Sequence, residues 1–240
     1  MGDEYMETKK LAPTKLHYAT IVLTIIMAVI SLYLIFIWSA VQENMGPVQK
    51  IFYFHVASAW NAFFAFFIVF IFSILFLLKR KGSYDIIAGI SAEVGVVFTA
   101  LVLITGPIWA HSAWNTWWVW EPRLTTTLIL FFMYLAYLVL RQLGIEWGKR
   151  ANLTAVFGII SFINVPIVYM SIDWWGAKYH PQILKNASSS LDPTVLITLI
   201  CTILTFTLIY FSILQQGLYV ERIRVQENEH KIKGEDNNVS

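Results

Sequence analysis

Six stretches of this chain are each long and apolar enough to cross a lipid bilayer, and that leaves few folds open. A span needs about 20 mainly apolar residues. Such runs occupy roughly Leu16–Ala40, Ile51–Leu78, Ile86–Thr105, Leu124–Leu140, Leu153–Ile172 and Thr194–Leu214. The run Phe63–Leu78 shows none of the polar/apolar alternation of a membrane β-barrel. The first run exceeds the about 7–15 residues of a signal-peptide core and follows a 15-residue hydrophilic leader, so it reads as a retained helix. The expected fold is an all-α integral membrane protein with six transmembrane helices. Hydrophobic residues make up 58% of the 240 and charged residues 13%, with mean hydropathy +0.63. A soluble domain of this size cannot bury that much apolar surface. The net charge of +2 implies no polyanionic partner, so nucleic acid is excluded. The single cysteine, Cys201, rules out an internal disulfide, a CxxC pair, a thiolate zinc cluster and a CxxCH haem-attachment site.

Lys and Arg orient the spans, because cytoplasmic segments carry the excess. Thirteen of the seventeen lie in the two terminal segments and the second and fourth connections; only Lys50, Arg123, Lys178 and Lys185 lie in the alternate set. Both termini are therefore expected on the cytoplasmic side of a multi-pass membrane protein. Residues 1–15 read as a cytoplasmic leader, 16–215 as the membrane domain, and 216–240 as a polar cytoplasmic tail, disordered from Gln226. Gly106-Pro107 should stop the third helix and open a tryptophan-rich outer loop at 106–123. Pro166 should bend the fifth helix near mid-span.

Chemistry is concentrated on the outer side. Nine of the ten tryptophans lie at or near that face, five of them within Trp109–Trp120. An interfacial belt is one reading, but belts form at both faces. The other reading is a flat, rigid, apolar platform with a few N–H donors, suited to a large planar ligand. His55, His111 and His180 also belong to the outer side; His17 and His230 read as solvated. His55 has small neighbours, Ser58 and Ala59, on its helix face, which allow either close helix packing or a bulky group on the imidazole. Zinc would want three or four closely spaced ligands. Haem needs one or two axial imidazoles from any elements, flat apolar walls and cations for its propionates. Arg123 is the strongest carboxylate clamp among the four outer cations. Haem best uses all three features. Within the spans, Asn61, Glu93 and Asn164 are polar; Glu93 reads as a packing contact, a proton relay or a contact on a haem path.

The stretch Trp114-Asn115-Thr116-Trp117-Trp118-Val119-Trp120-Glu121-Pro122-Arg123 resembles the "WWD" domain of haem-handling membrane proteins. Within that group the chain most resembles the haem exporter protein C (CcmC) family of cytochrome c maturation. Lys50–Val56 with Ala59-Trp60 resembles the family's first histidine segment. Asn164–Tyr169 with Asp173-Trp174-Trp175 and His180 resembles its second. The likeness covers roughly residues 16–215.

The resemblance implies that His55 and His180 are axial ligands of a transient, non-covalent haem b on the extracytoplasmic face. Trp60, Trp114, Trp117, Trp118, Trp120, Trp174, Trp175, Glu121 and Arg123 would surround it. It also implies delivery to the haem chaperone CcmE, with CcmD and the ABC transporter subunits CcmA and CcmB as partners. Two departures stand out. Glu121 replaces the Asp of the family motif, and His111 is a third outer imidazole at a loop position. The rivals are a WWD-type cytochrome c haem synthase, which is larger with more spans, a membrane cytochrome b, which carries helix-borne histidines at both faces, and a haem-free transporter with discontinuous helices. No nucleophile–base pair or phosphate loop suggests that the chain is an enzyme.

Overall fold

In the computed structural model, the structure describes residues 14–41, 46–176 and 192–239, with side chains except those of 113–114 and 225–239. His180, Lys178 and Lys185 lie outside these residues, as does the side chain of Trp114. The described residues form an all-helical bundle with six helical spans apolar enough to cross a membrane. The helices are α1 Lys15–Tyr33, α2 Gln49–Lys79, α3 Gly82–Trp114, α4 Pro122–Arg141, α5 Trp147–Phe162, α6 Asn164–Trp175 and α7 Pro193–Val239.

Each helix start and stop has a local cause. The Thr14 hydroxyl caps α1 by accepting from the His17 backbone N–H. The α2–α3 hairpin turns at Arg80, which takes a left-handed φ of 56°. Pro122 opens α4 at a position whose N–H would have no helical partner. The Asp192 carboxylate accepts from the Thr194 backbone N–H and hydroxyl at the head of α7, which holds its carboxyl below the usual carboxylate range.

Lipid offers the helices no hydrophobic drive toward one another, so small and polar side chains join them. The hydroxyl pairs Ser31–Thr205 (2.8 Å) and Thr24–Ser212 (2.9 Å) tie α1 to α7. Buried Asn61 on α2 donates to its own helix and accepts from Thr207 of α7 at 3.0 Å. Phe66 stacks on Tyr134 at 3.6 Å between centroids, and Gly95 of α3 leaves room for its ring: a Cβ there would stand 2.4 Å from Phe66 Cε1.

Three expectations need correction. The third helix does not stop at Gly106-Pro107; it runs on to Trp114, so the irregular segment covers only Asn115–Glu121. Pro107 deprives only the Leu103 carbonyl of its helical partner, and keeping the remaining backbone bonds outweighs that loss near a membrane. His17 is buried, at 5% exposure, with its ring centroid 6.4 Å from that of Tyr219 on α7. The tail after 216 is helical to Val239: helix-favouring Glu, Gln, Lys and Arg recur along it and no proline interrupts it. Pro166 acts as expected. The fifth span breaks at Ile163, beside Phe162, whose carbonyl a proline at 166 cannot serve.

Candidate haem-binding site

At the end of the bundle where α2 and α4 begin and α3 and α6 finish, the four helices enclose a cavity of about 410 Å³. This lies in the roughly 300–1,000 Å³ range of small-molecule sites. Its walls are mostly apolar: Phe52, Val56, Phe63, Leu103, Trp109 and Leu130 contribute. The polar groups converging on it are few, chiefly His55, Arg123, Asp173 and Trp118.

His55 lies near the start of α2, and its Nδ1 is 2.9 Å from the Thr105 hydroxyl on α3. Thr105 already donates its one hydroxyl proton to the Leu101 carbonyl at 2.7 Å. With that shorter bond made, the Thr105 oxygen accepts and His55 Nδ1–H donates. That fixes the tautomer and puts the neutral ring's lone pair on Nε2, the arrangement typical of metal-ligating histidines. Gly106 packs closely under the ring: a Cβ there would stand 3.3 Å from His55 Cε1, tight enough to push the imidazole by a few tenths of an ångström.

Arg123 occupies the first turn of α4 and donates to the Tyr169 carbonyl of α6 at 3.0 Å. The carboxylates of Asp173 and Glu121 lie within its electrostatic reach. Its fork is thus held at the cavity wall with donors left for a carboxylate ligand. Glu121 is buried as the residue preceding α4, where a carboxylate favours the helix dipole, and it does not line the cavity.

The tryptophans divide. Trp118 and Trp109 line the cavity, and the Trp118 indole Nε1–H is buried with no hydrogen-bond partner among the described residues. Trp60 lines it from α2 while leaving much of its face exposed. Trp120 packs edge-on against Trp118 at 5.6 Å but is 75% exposed. Trp117 stacks on His111 at 4.2 Å, and neither lines the cavity. Trp174 and Trp175 are exposed at the end of α6, edge to face, also off the lining. Glu93 lies elsewhere, beside a second cavity toward the Lys/Arg-rich end. Sequence reasoning assigned no role to Thr105 or Asp173. A pair fifty residues apart has no one-dimensional signal.

A model of the family described as heme exporter protein C matches residues 5–233. The chain belongs to the heme exporter protein C family. It is 34% identical to the heme exporter protein C of Bradyrhizobium diazoefficiens over 79% of this chain and 72% of that one. It is 32% identical to a cytochrome c biosynthesis ccmC-like mitochondrial protein of Marchantia polymorpha, over 71% and 72%. With the heme exporter protein C of Escherichia coli K12 it shares 27% identity over 63% and 61%. Membership and the six spans make this a multi-pass membrane protein of haem handling in cytochrome c maturation.

The cavity suits haem on its own evidence. It offers apolar aromatic walls, one imidazole with its tautomer set, one guanidinium, and one buried indole donor awaiting an acceptor. Thr105→Val keeps the side chain's shape and removes the acceptor for His55 Nδ1. Loss of such a supporting contact costs about 10–100-fold in metal affinity. We expect haem titration of the detergent-purified variant to show weakening in that range with the helical circular dichroism unchanged. Parent-like affinity would mean that the Thr105 contact does not position the ring for iron.

Proposed function

We propose that this protein holds haem b, non-covalently and transiently, at the tryptophan-rich end of its bundle and presents it to the haem chaperone CcmE. His55 and His180 are the axial ligands. Trp118 and Trp60 form the aromatic wall inside the cavity, and Trp117 and Trp120, outside its lining, extend the platform with Trp114; Trp174 and Trp175 flank the His180 segment, and Arg123 clamps a propionate. Glu121 keeps negative charge at the head of α4, and His111 serves the loop rather than the iron. The observation that carries this reading is His55 on the cavity wall with its Nδ1–H held by Thr105, which leaves Nε2 as the ligating atom.

The site belongs to the extracytoplasmic side of the inner membrane, with both termini in the cytoplasm. The Lys/Arg excess at the opposite end supports this orientation. CcmD and the ABC subunits CcmA and CcmB complete the assembly. The chain's own part is positioning: it orients the ring, excludes water from one side and exposes an edge to the acceptor, so it acts as a transport component and not as an enzyme. A visible spectrum of the purified protein, oxidised and reduced, tests the reading. A Soret band with the sharp reduced bands of bis-imidazole haem is expected. A haem-loaded protein with a five-coordinate spectrum would overturn the two-histidine assignment.

A further inference from the structure

A second cavity, of about 700 Å³, opens at the Lys/Arg-rich end of the bundle, far from His55. Three arginines from three helices line it: Arg141 at the end of α4, Arg150 on α5 and Arg224 on α7. Arg141 is held in place. It forms a forked pair with Asp85 at 2.6 and 3.2 Å and lies across Gly89, where a Cβ would come within 2.5 Å of its Cζ. Arg150 has no ion-pair partner among the described residues. Arg224 has only a solvent-exposed pair with Glu221 at 3.5 Å, a kind that binds weakly and leaves the group available. Isoleucines from α1, α3 and α7 (Ile21, Ile86, Ile90 and Ile213) supply apolar wall beside the guanidinium groups, together with the polar Ser212 and Gln216.

Arg141 is satisfied by Asp85, whereas Arg150 has no carboxylate partner among the described residues and Arg224 has only the exposed Glu221, which also lines the crevice, so these two have donors for a further anion. Arginines at the interface beside an apolar wall match a molecule with a phosphate head and acyl tails, and basic pockets between transmembrane helices bind acidic lipid headgroups. We propose that this crevice is a binding site for an acidic phospholipid of the leaflet at that end, with its phosphate between Arg150 and Arg224 and its chains along the isoleucines. Glu93 is one turn beyond Gly89 on α3, about 6 Å deeper, at the level of the lipid's glycerol and chains and not its phosphate.

Native mass spectrometry of the full chain tests this, with phosphatidylglycerol and phosphatidylcholine of matched chains as probes. One phosphatidylglycerol should be retained under conditions that strip phosphatidylcholine, and millimolar inorganic phosphate should not displace it. An Arg150→Gln/Arg224→Gln double variant should bind about thirtyfold more weakly, the change expected for two arginines at an anionic headgroup. The Arg150→Lys/Arg224→Lys variant should keep most of the affinity, which separates lost charge from lost folding. Glu93→Gln should bind at least as well as the parent. Equal retention of the two lipids, no effect of the double Gln variant, or loss of binding in Glu93→Gln alone would overturn the proposal. Displacement by phosphate alone would make it a simple anion site, and haem displacing the lipid with equal dependence on both arginines would make it a haem site; either result also overturns it.

Discussion

Replacing His55 with glycine is expected to abolish the six-coordinate bis-imidazole spectrum and to cut haem transfer to CcmE by more than the 10–100-fold typical of losing a supporting contact. In the proposed site the imidazole supplies an iron ligand directly, whereas Thr105 only holds it. The apolar walls, Trp118 and Arg123 remain, so some haem should stay bound in a five-coordinate form. Free imidazole should enter the space left by the ring and restore part of the six-coordinate signal. His180→Gly is expected to behave in the same way. His111→Ala should keep the parent spectrum, because that ring stacks on Trp117 and does not line the cavity. Magnetic circular dichroism of the three variants would decide the matter. Loss of ligation in His111→Ala with retention in His180→Gly would reverse the assignment.

The second large effect concerns stability. Asp85 is 5% exposed, and its carboxylate is forked by Arg141 at the Lys/Arg-rich end of the α3–α4 contact. Truncating one partner of such a pair leaves the other charge buried without compensation, which costs about 3–5 kcal/mol. Arg141 keeps some solvent contact, with a side chain 20% exposed, so Asp85→Ala should fall near the lower bound, about 3 kcal/mol. Equilibrium unfolding in detergent should read this directly. An Asp85→Ala/Arg141→Leu double variant should recover most of the loss, since no unpaired charge remains. A cost below about 1 kcal/mol for Asp85→Ala would show that the pair behaves like an exposed one.

Both effects depend on pairs that no scan along the chain could find. Asp85 and Arg141 are 56 residues apart, His55 and Thr105 are 50, Arg123 and Tyr169 are 46. Each pair joins different helices, and which faces meet depends on the rotation of each helix about its axis. A span hydrophobic on all sides carries little information about that rotation. His17 shows the same limit. Beside a polar terminus it reads as solvated, yet α7 extends far enough past the apolar stretch to cover it with Tyr219.

Gly106-Pro107 marks where local propensity was overruled. Gly and Pro cost about 1 and 3 kcal/mol in a helix interior, which argues for a stop. Near lipid, an abandoned backbone costs more. The helix continues for two further turns and carries Trp109 and Ala110 into the cavity wall, a placement a loop would not have produced.

By itself, the sequence determined that the chain is a six-span helical membrane protein with its aromatic chemistry gathered at one end. Hydropathy, charge bias and composition are sums over neighbouring residues, and a bilayer reads them in that form. It also singled out His55 and Arg123, because a histidine or an arginine beside tryptophans is unusual whatever its partners. Only the tertiary structure decided that His55 is oriented by Thr105, that Trp118 faces the cavity while Trp117 and Trp120 do not, and that Glu93 belongs with three arginines at the opposite end. Those choices follow from helix rotation and packing, which short-range patterns in a nearly uniform apolar sequence leave open.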